Sequence, residues 1–248
     1  MHRFYLPPES CRGPWLRLEG REAHHALHVL RLKRGDGVTV LDGEGGEFAC
    51  ELENASKDSL ALKVREKKSA PAPPCPITLL VAIPKGKIIE DIIQKAVELG
   101  AYRIVPLLTE RVVTHLDPGG AESKREKWQQ VAIEAIKQCG QPWLPTIETP
   151  APFSTFRFPL SAFDLSLVGS LQTERRHPRE WILEFQKQHG RRPHSAAVWI
   201  GPEGDFTLAE LQAIEAAGAK PITLGALTLR VDTAAIYCLS LLNYELNR

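Results

Sequence analysis

The stretch VWIGPEGDFTLAELQAIEAAGAKPITLGALTLRVDTAA, Val198–Ala235, decides how the rest of the chain is read. It begins inside an apolar run, Ala196-Ala197-Val198-Trp199-Ile200, that stops at Gly201-Pro202-Glu203-Gly204. Thr207-Leu208-Ala209-Glu210 has the form of a capping box, a hydroxyl followed three residues on by a carboxylate, so a helix is expected to start at Thr207. A second apolar run, Pro221-Ile222-Thr223-Leu224, stops at Gly225, and a Leu-rich loop then leads through Arg230 into a last helix. Two strands that end in glycine, each followed by a helix, have the form of an open α/β sheet. In such sheets ligands bind outside the carboxyl ends of the strands. Glycine at these ends permits positive φ and lets a ligand come close to the backbone.

Upstream, the same alternation continues. Ile77 to Ile83 is a continuous apolar run, as expected of a strand covered on both faces. Lys87 to Leu99 carries its apolar residues at helical spacing and is followed by Gly100. Arg103 to Leu108 reads as a strand. Ser123 to Cys139 reads as an amphipathic helix stopped by Gly140 and Pro142. Asp164 to Val168 is a strand ending at Gly169, and Pro178 to His189 is a helix followed by Gly190. Strands alternating with helices predict a parallel sheet with helices on its faces. Ala234 to Leu246 is apolar nearly all round, which predicts a helix buried in a core or an oligomer interface.

The first 68 residues have a different pattern. Val38 to Leu41 and Glu47 to Leu52 flank the turn Asp42-Gly43-Glu44-Gly45-Gly46, which predicts a hairpin, and Ser59 to Val64 is a third alternating run. Ala23, Ala26, Leu27 and Leu30 predict a short helix between Arg21 and Leu32. Short strands, tight turns and one helix point to a small barrel or curled sheet. Ser69 to Pro76 holds four prolines in eight residues, which stiffens the chain and removes ladder donors. Three segments are therefore expected: a β-rich domain over 1–68, a linker over 69–76 and an α/β domain over 77–248.

Composition is that of an ordinary globular protein, with 43% hydrophobic and 25% charged residues and a net charge of +1. Charge is unevenly placed, however. From Met1 to Arg34 there are seven Arg or Lys (residues 3, 12, 17, 21, 31, 33 and 34) against three acids (9, 19 and 22), a stripe able to meet phosphates. The five cysteines are scattered and form no C-x-x-C, which fits reduced thiols in the cytoplasm better than disulfides or a zinc site. No apolar run is long enough to span a bilayer, and the N-terminus lacks the apolar core of a secretion signal, so no membrane association is expected.

Known nucleotide signatures are missing. Gly201-Pro202-Glu203-Gly204 is not G-x-G-x-x-G, and Ile83-Pro84-Lys85-Gly86-Lys87 is not a phosphate loop. The leucines of residues 224–229 can form an apolar pocket wall, with free backbone groups to read a heterocycle edge. Arg230 sits where helix N-termini favour anions, so it points to a functional or anion-binding role, with a surface pair to Asp232 as the alternative. His24, His25 and His28 lie near Arg31 on one helical face. No carboxylate or cysteine completes a metal set, so RNA contact or packing is expected, with no metal.

Several segments together carry a family resemblance: Arg3-Phe4-Tyr5, His25 with Val29-Leu30-Arg31, Lys85-Gly86, Gln94 to Gly100, Pro106, Thr109-Glu110-Arg111, Lys127-Trp128, Glu134-Ala135, Gln138-Cys139-Gly140, Ile200 to Phe206, Leu224-Gly225, Leu229-Arg230 and Thr233-Ala234. Essentially the whole chain resembles the RsmE family, ribosomal-RNA uridine-N3 methyltransferases of the trefoil-knot (SPOUT) superfamily. The resemblance implies a small PUA-like β-barrel that binds RNA, followed by a knotted, parallel-sheet α/β domain. It also implies S-adenosylmethionine as cofactor, a homodimer, and ribosomal RNA or the small ribosomal subunit as partner.

By the same resemblance the cofactor would be held by Gly169, Ile200, Gly201, Pro202, Glu203, Gly204, Leu224, Gly225, Leu227 and Leu229. Arg230 would be catalytic, with Glu203 or Asp232 as base. Arg3, His25, Arg31, Lys33, Lys85 and Arg111 would meet RNA. This chain departs from the family pattern at Asp205, often a glycine, at Val231-Asp232, usually Thr-Glu, and at Gln141, commonly an arginine. The alternatives are another knotted RNA methyltransferase, acting on ribose 2′-OH or a transfer-RNA base, and a non-catalytic RNA-binding or assembly factor.

Overall fold

The structure, a computed structural model, describes residues 2–56, 58–112, 118–155, 163–172 and 174–247. The chain divides into two compact units, one of Met1–Ala72 with Ile133–Leu144, the other of Pro73–Ala132 with Pro145–Arg248.

The first unit is built on a five-stranded sheet of β1 (His2–Tyr5), β2 (Trp15–Glu19), β3 (Gly37–Leu41), β4 (Gly46–Ala55) and β5 (Ser59–Ser69), in the order β1-β3-β4-β5-β2. Every ladder is antiparallel except β1 with β3. Alternation fixes the inner face: Leu16, Leu18, Val38, Val40, Phe48, Leu52, Leu60 and Leu62 are buried on one side. No ladder joins β1 to β2 among the described residues, so the expected barrel is a half-barrel.

The segment expected to be one helix is instead α1 (Gly20–His24) running into a π-helical turn, His25–Val29. The Leu30 N–H donates to the His25 carbonyl five residues back, and Arg31 then takes a left-handed φ of 54° that ends the turn. Ala23 and Ala26 are buried here, with Leu27 and Leu30 packed against the same core. Strands β1 and β2 were not expected from the sequence. Each is short, and β1 exists by pairing with β3, a contact between distant residues.

The second unit holds a seven-stranded, all-parallel sheet. Its strands are β6 (Ile77–Ala82), β7 (Ala101–Leu108), β8 (Thr146–Ile147), β9 (Ala151–Pro152), β10 (Leu165–Gly169), β11 (Ala196–Ile200) and β12 (Lys220–Ile222). The order is β12-β10-β11-β6-β7-β8, with β9 also on β7. Between the strands run α2 (Ile88–Glu98), α3 (Pro118–Cys139), α4 (Pro178–His189), α5 (Leu208–Ala216) and α6 (Val231–Leu246).

Every residue of β6 and β11 is buried, as expected of strands covered on both faces. One face is closed by α2 and α6, whose Ile89, Ile92, Ile93, Leu239 and Leu242 are all buried. On the core of Leu80, Leu107 and Val168, Trp199 and Phe206 bury their rings with Leu211 and Ile214 of α5. The indole N–H of Trp199 donates to Ser166 Oγ at 3.1 Å, so this buried polar group is satisfied.

Sheet order is what positions the site. The two glycine-ended strands read from the sequence, β11 and β12, are not neighbours, because β10 is hydrogen-bonded between them. Three adjacent strands therefore end side by side, and the loops after Gly169, Ile200 and Ile222 converge. Among the described residues no helix is long and apolar enough to cross a membrane, and no cluster of three or more His, Cys, Asp or Glu could hold a metal ion.

Candidate active site at three strand ends

The loop after β11 is the most rigidly held. A Cβ on Gly201 would lie 3.1 Å from both the ring and the backbone nitrogen of Phe206, so a larger residue there would press on the loop's return. The Asp205 N–H donates to the Pro202 carbonyl at 2.9 Å, closing a turn. Phe206, with no exposed surface, anchors the turn in the core beside Phe153. Thr207 then caps α5, where Thr207 and Glu210 form the expected capping box. The other Glu210 oxygen accepts the Glu110 N–H at 2.9 Å, and Arg111 donates to the carbonyl oxygens of Gly204 and Asp205. Thus Thr109-Glu110-Arg111, singled out in the sequence, braces this loop from the end of β7.

The loop after β10 is held through side chains. Ser170 is buried, and its Oγ accepts the Gln172 N–H at 3.1 Å while its carbonyl accepts from Arg175 at 3.0 Å. Asp205, at a left-handed φ of 62°, accepts the Leu171 N–H through Oδ2 at 3.0 Å. The loop after β12 is much freer. Gly225 has a φ of 112°, and its backbone N–H and carbonyl are tied to Thr223 Oγ1 at 3.3 Å. Leu227 in this loop is 79% exposed.

These loops surround a cavity of about 610 Å³, its open mouth included. Of the residues expected to bind a cofactor, Gly169, Ile200, Gly201, Pro202, Glu203, Leu224, Gly225, Leu227 and Leu229 line it. Gly204 does not; its carbonyl is held by Arg111 instead. Ser170, Leu171, Arg175, Asp205, Ile222, Thr228, Val231 and Ala234 also line it and were not among the residues expected to hold the cofactor. A signal for the first two was present, since Ser170-Leu171 follows a strand-end glycine just as the other two loops do. The lining is apolar at Ile200, Ile222, Leu224, Leu229 and Val231, and its charged residues are Glu203, Asp205 and Arg175. It can therefore take an amphipathic ligand carrying a net positive charge.

Arg230 and Asp232 do not line the cavity, although Leu229 and Val231 beside them do. Arg230 is the N-cap residue of α6, with its side chain 74% exposed and its Nε 3.6 Å from Asp232 Oδ1. An exposed pair of that kind is weak, which leaves the guanidinium available to an anion.

The expected RNA contacts lie in both units. In the first, Arg3 donates to the Lys137 and Gln138 carbonyls at 3.3 and 3.0 Å, where α3 ends, and its guanidinium lies against Gly140. His25 is half-buried beside Phe4, and Arg31 and Lys33 are exposed. In the second, Lys85 and Arg111 are exposed, and Arg111 is engaged with the Gly204 loop.

An RNA methyltransferase domain family matches residues 71–243, and an RNA methyltransferase PUA domain family matches residues 18–65. The ribosomal RNA small subunit methyltransferase E of Synechocystis is 33% identical over 98% of this chain and 77% of its own. The chain belongs to the RsmE family. The RsmE protein of Bacillus subtilis is 31% identical over 99% of this chain and 97% of its own. Among solved structures, a methyltransferase from Legionella pneumophila with bound S-adenosylmethionine superposes with a TM-score of 0.85 at 30% identity, covering 98% of this chain and 97% of that one. An RsmE protein of Neisseria gonorrhoeae, also bound to S-adenosylmethionine, gives a TM-score of 0.82 at 25% identity, covering 99% and 98%. The RsmE resemblance read from the sequence is thus borne out over the whole chain.

Proposed function

We propose that this protein transfers a methyl group from S-adenosylmethionine to N3 of a uridine in small-subunit (16S) ribosomal RNA, acting in the cytoplasm as a homodimer. The observation that carries the proposal is the cavity at three adjacent strand ends in a chain of the RsmE family. Its residues fit the cofactor in charge and shape. The sulfonium and ammonium groups of S-adenosylmethionine are cationic and its carboxylate anionic, and the lining offers Glu203 and Asp205 against Arg175. Leu224, Leu227 and Leu229 supply an apolar wall for an adenine ring, and the glycine at 225 leaves its backbone open to a ligand, with nothing within 4 Å of a Cβ built there.

When bound, S-adenosylmethionine supplies a methyl group activated by its sulfonium. The protein's part is to align the acceptor, exclude water and manage one proton. Uracil N3–H is a weak acid, so reaction requires that proton to leave and the resulting anion to be stabilised. Arg230, exposed beside two residues of the cavity wall, offers a guanidinium to the uracil carbonyl oxygen or to an adjacent phosphate. Glu203 lines the cavity and Asp232 pairs with Arg230; one of these carboxylates takes the N3 proton. Arg3, Arg31 and Lys33 meet phosphates of the RNA, and His25, Lys85 and Arg111 add to its binding. The homodimer is supported by Tyr237 and Tyr244 of α6, large side chains that are 43% and 64% exposed on the helix whose Ala235, Leu239 and Leu242 fill the core. The knotted chain path implied by the resemblance belongs to the same proposal.

Calorimetry with S-adenosylmethionine and transfer of a labelled methyl group to small ribosomal subunits test this reading. Wild-type protein should bind the cofactor and label the RNA. Arg230→Ala should lose turnover far more than cofactor affinity, and a fully active Arg230→Ala protein would remove Arg230 from the mechanism. A wild-type protein that binds no S-adenosylmethionine would favour a non-catalytic RNA-binding or assembly factor.

A further inference from the structure

Asp205 is one of two residues other than glycine at positive φ among those described. At 62° it holds a left-handed backbone, which aspartate tolerates better than most residues but still at a cost. Both of its carboxylate oxygens are engaged. Oδ1 accepts the Phe206 N–H at 2.8 Å, on its own loop. Oδ2 accepts the Leu171 N–H at 3.0 Å and Gln172 Nε2 at 3.3 Å, on the loop after β10. Gln172 Nε2 returns to the Phe206 carbonyl at 2.6 Å, which closes the link between the two loops. From the far side Arg111 holds the carbonyls of Gly204 and Asp205. Leu171 and Asp205 both line the cavity, and Leu171, 52% exposed, has little packing of its own to hold it there.

We infer that Asp205 is a positioning residue, a carboxylate latch that fixes the loop of Leu171 and Gln172 as a wall of the cavity and so sets affinity for S-adenosylmethionine. This rests on the reading that the cavity takes that cofactor. The latch needs two acceptor oxygens, because its donors approach from opposite loops. A residue there that offers only one would hold its own loop or the neighbouring one, and not both. The backbone at 205 would take glycine with less strain, so the carboxylate accounts for keeping a side chain in this conformation.

Two variants separate the latch from general stability. Asp205→Asn keeps a residue that tolerates a left-handed backbone but presents one oxygen and an NH₂ group to the same donors. Asp205→Gly removes the latch and relieves the backbone. Each is examined by thermal melting without ligand, by calorimetry with S-adenosylmethionine, by amide exchange at Leu171 and by steady-state methyl transfer. The latch predicts a dissociation constant and a KM for S-adenosylmethionine raised about tenfold or more in both variants. It predicts a smaller loss in kcat at saturating cofactor than in kcat/KM for S-adenosylmethionine. Asp205→Gly, which relieves the backbone, should melt no lower than Asp205→Asn, and the Leu171 amide should exchange faster in both variants.

Unchanged cofactor affinity in both variants would overturn the inference, as would a melting loss without an affinity loss. Leu171 exchange at the wild-type rate in Asp205→Gly would overturn the latch whatever the ligand. Faster exchange at Leu171 in a protein whose wild type binds no S-adenosylmethionine would instead overturn the cofactor assignment.

Discussion

Replacing Gly225 with alanine tests whether the freest of the three loops forms part of the binding surface. Gly225 has a φ of 112°, outside the left-handed well that other residues visit, and nothing lies within 4 Å of a Cβ built there. The substitution is therefore strained through the backbone and not through a clash, at a cost of order 1–3 kcal/mol. Little holds residues 223–230 against that strain. Gly225 is exposed, and its hydrogen bonds to Thr223 Oγ1 are 3.3 Å long. The loop of Gly225→Ala should leave its conformation and the rest of the fold should stay intact. If the present loop is the binding-competent one, the same ~1–3 kcal/mol appears as a loss of affinity, roughly 5- to 160-fold in the dissociation constant for S-adenosylmethionine. Had the fold absorbed the strain, melting would fall by roughly 2–12 °C for a chain of this size. Calorimetry and melting on the same samples distinguish the two outcomes. Affinity within twofold of wild type, or a melting loss of that size with affinity unchanged, would exclude this loop from the binding surface.

Phe206→Ala removes a fully buried ring behind the second loop and should cost about 3–5 kcal/mol in denaturant unfolding; a loss under about 1 kcal/mol would mean the ring anchors little. The Asp164 carboxyl is held down to about 2, chiefly by hydrogen bonds from Arg191. Its ordinary value is 3.8, so the ionised form stabilises the fold above that pH, and the contribution is lost as pH falls through about 2. The melting difference between wild type and Asp164→Asn should thus be constant from about pH 5 to 7 and shrink from about pH 4 downward. For RNA binding, phosphate contacts by Arg3, Arg31 and Lys33 should give these residues a combined share of about −2 to −3 in the slope of log affinity against log salt. Replacing all three with alanine should flatten the slope by that amount, and an unchanged slope would remove them from the interface.

Local chemistry was legible where a single turn encodes it. Pro178 at the first position of α4, with Gly190 at a φ of 66° after its end, fixes that helix, and Thr207 with Glu210 fixes the start of α5. The apolar runs of β6 and β11 also read correctly, since burial on both faces leaves every position but Thr78 apolar. Strand order was not legible, because it depends on pairing between distant segments. The insertion of β10 between β11 and β12 is what makes Ser170 and Leu171 part of the cavity wall. Arg111 shows the same limit: its charge was visible and suggested RNA, but its reach to the Gly204 and Asp205 carbonyls follows from the end of β7 lying near the loop after β11. Asp205 stood out in sequence only as a departure from a glycine-rich pattern; its φ of 62° and its bonds to Leu171 and Gln172 are properties of the folded loops.

The identity of the methylated nucleoside decides what this cavity does. Small ribosomal subunits lacking the modification would be incubated with the protein and S-adenosylmethionine, and their 16S RNA digested to nucleosides and resolved by chromatography. Wild-type protein should form N3-methyluridine, and Arg230→Ala should form far less. A 2′-O-methyl nucleoside, or another methylated base in its place, would contradict it.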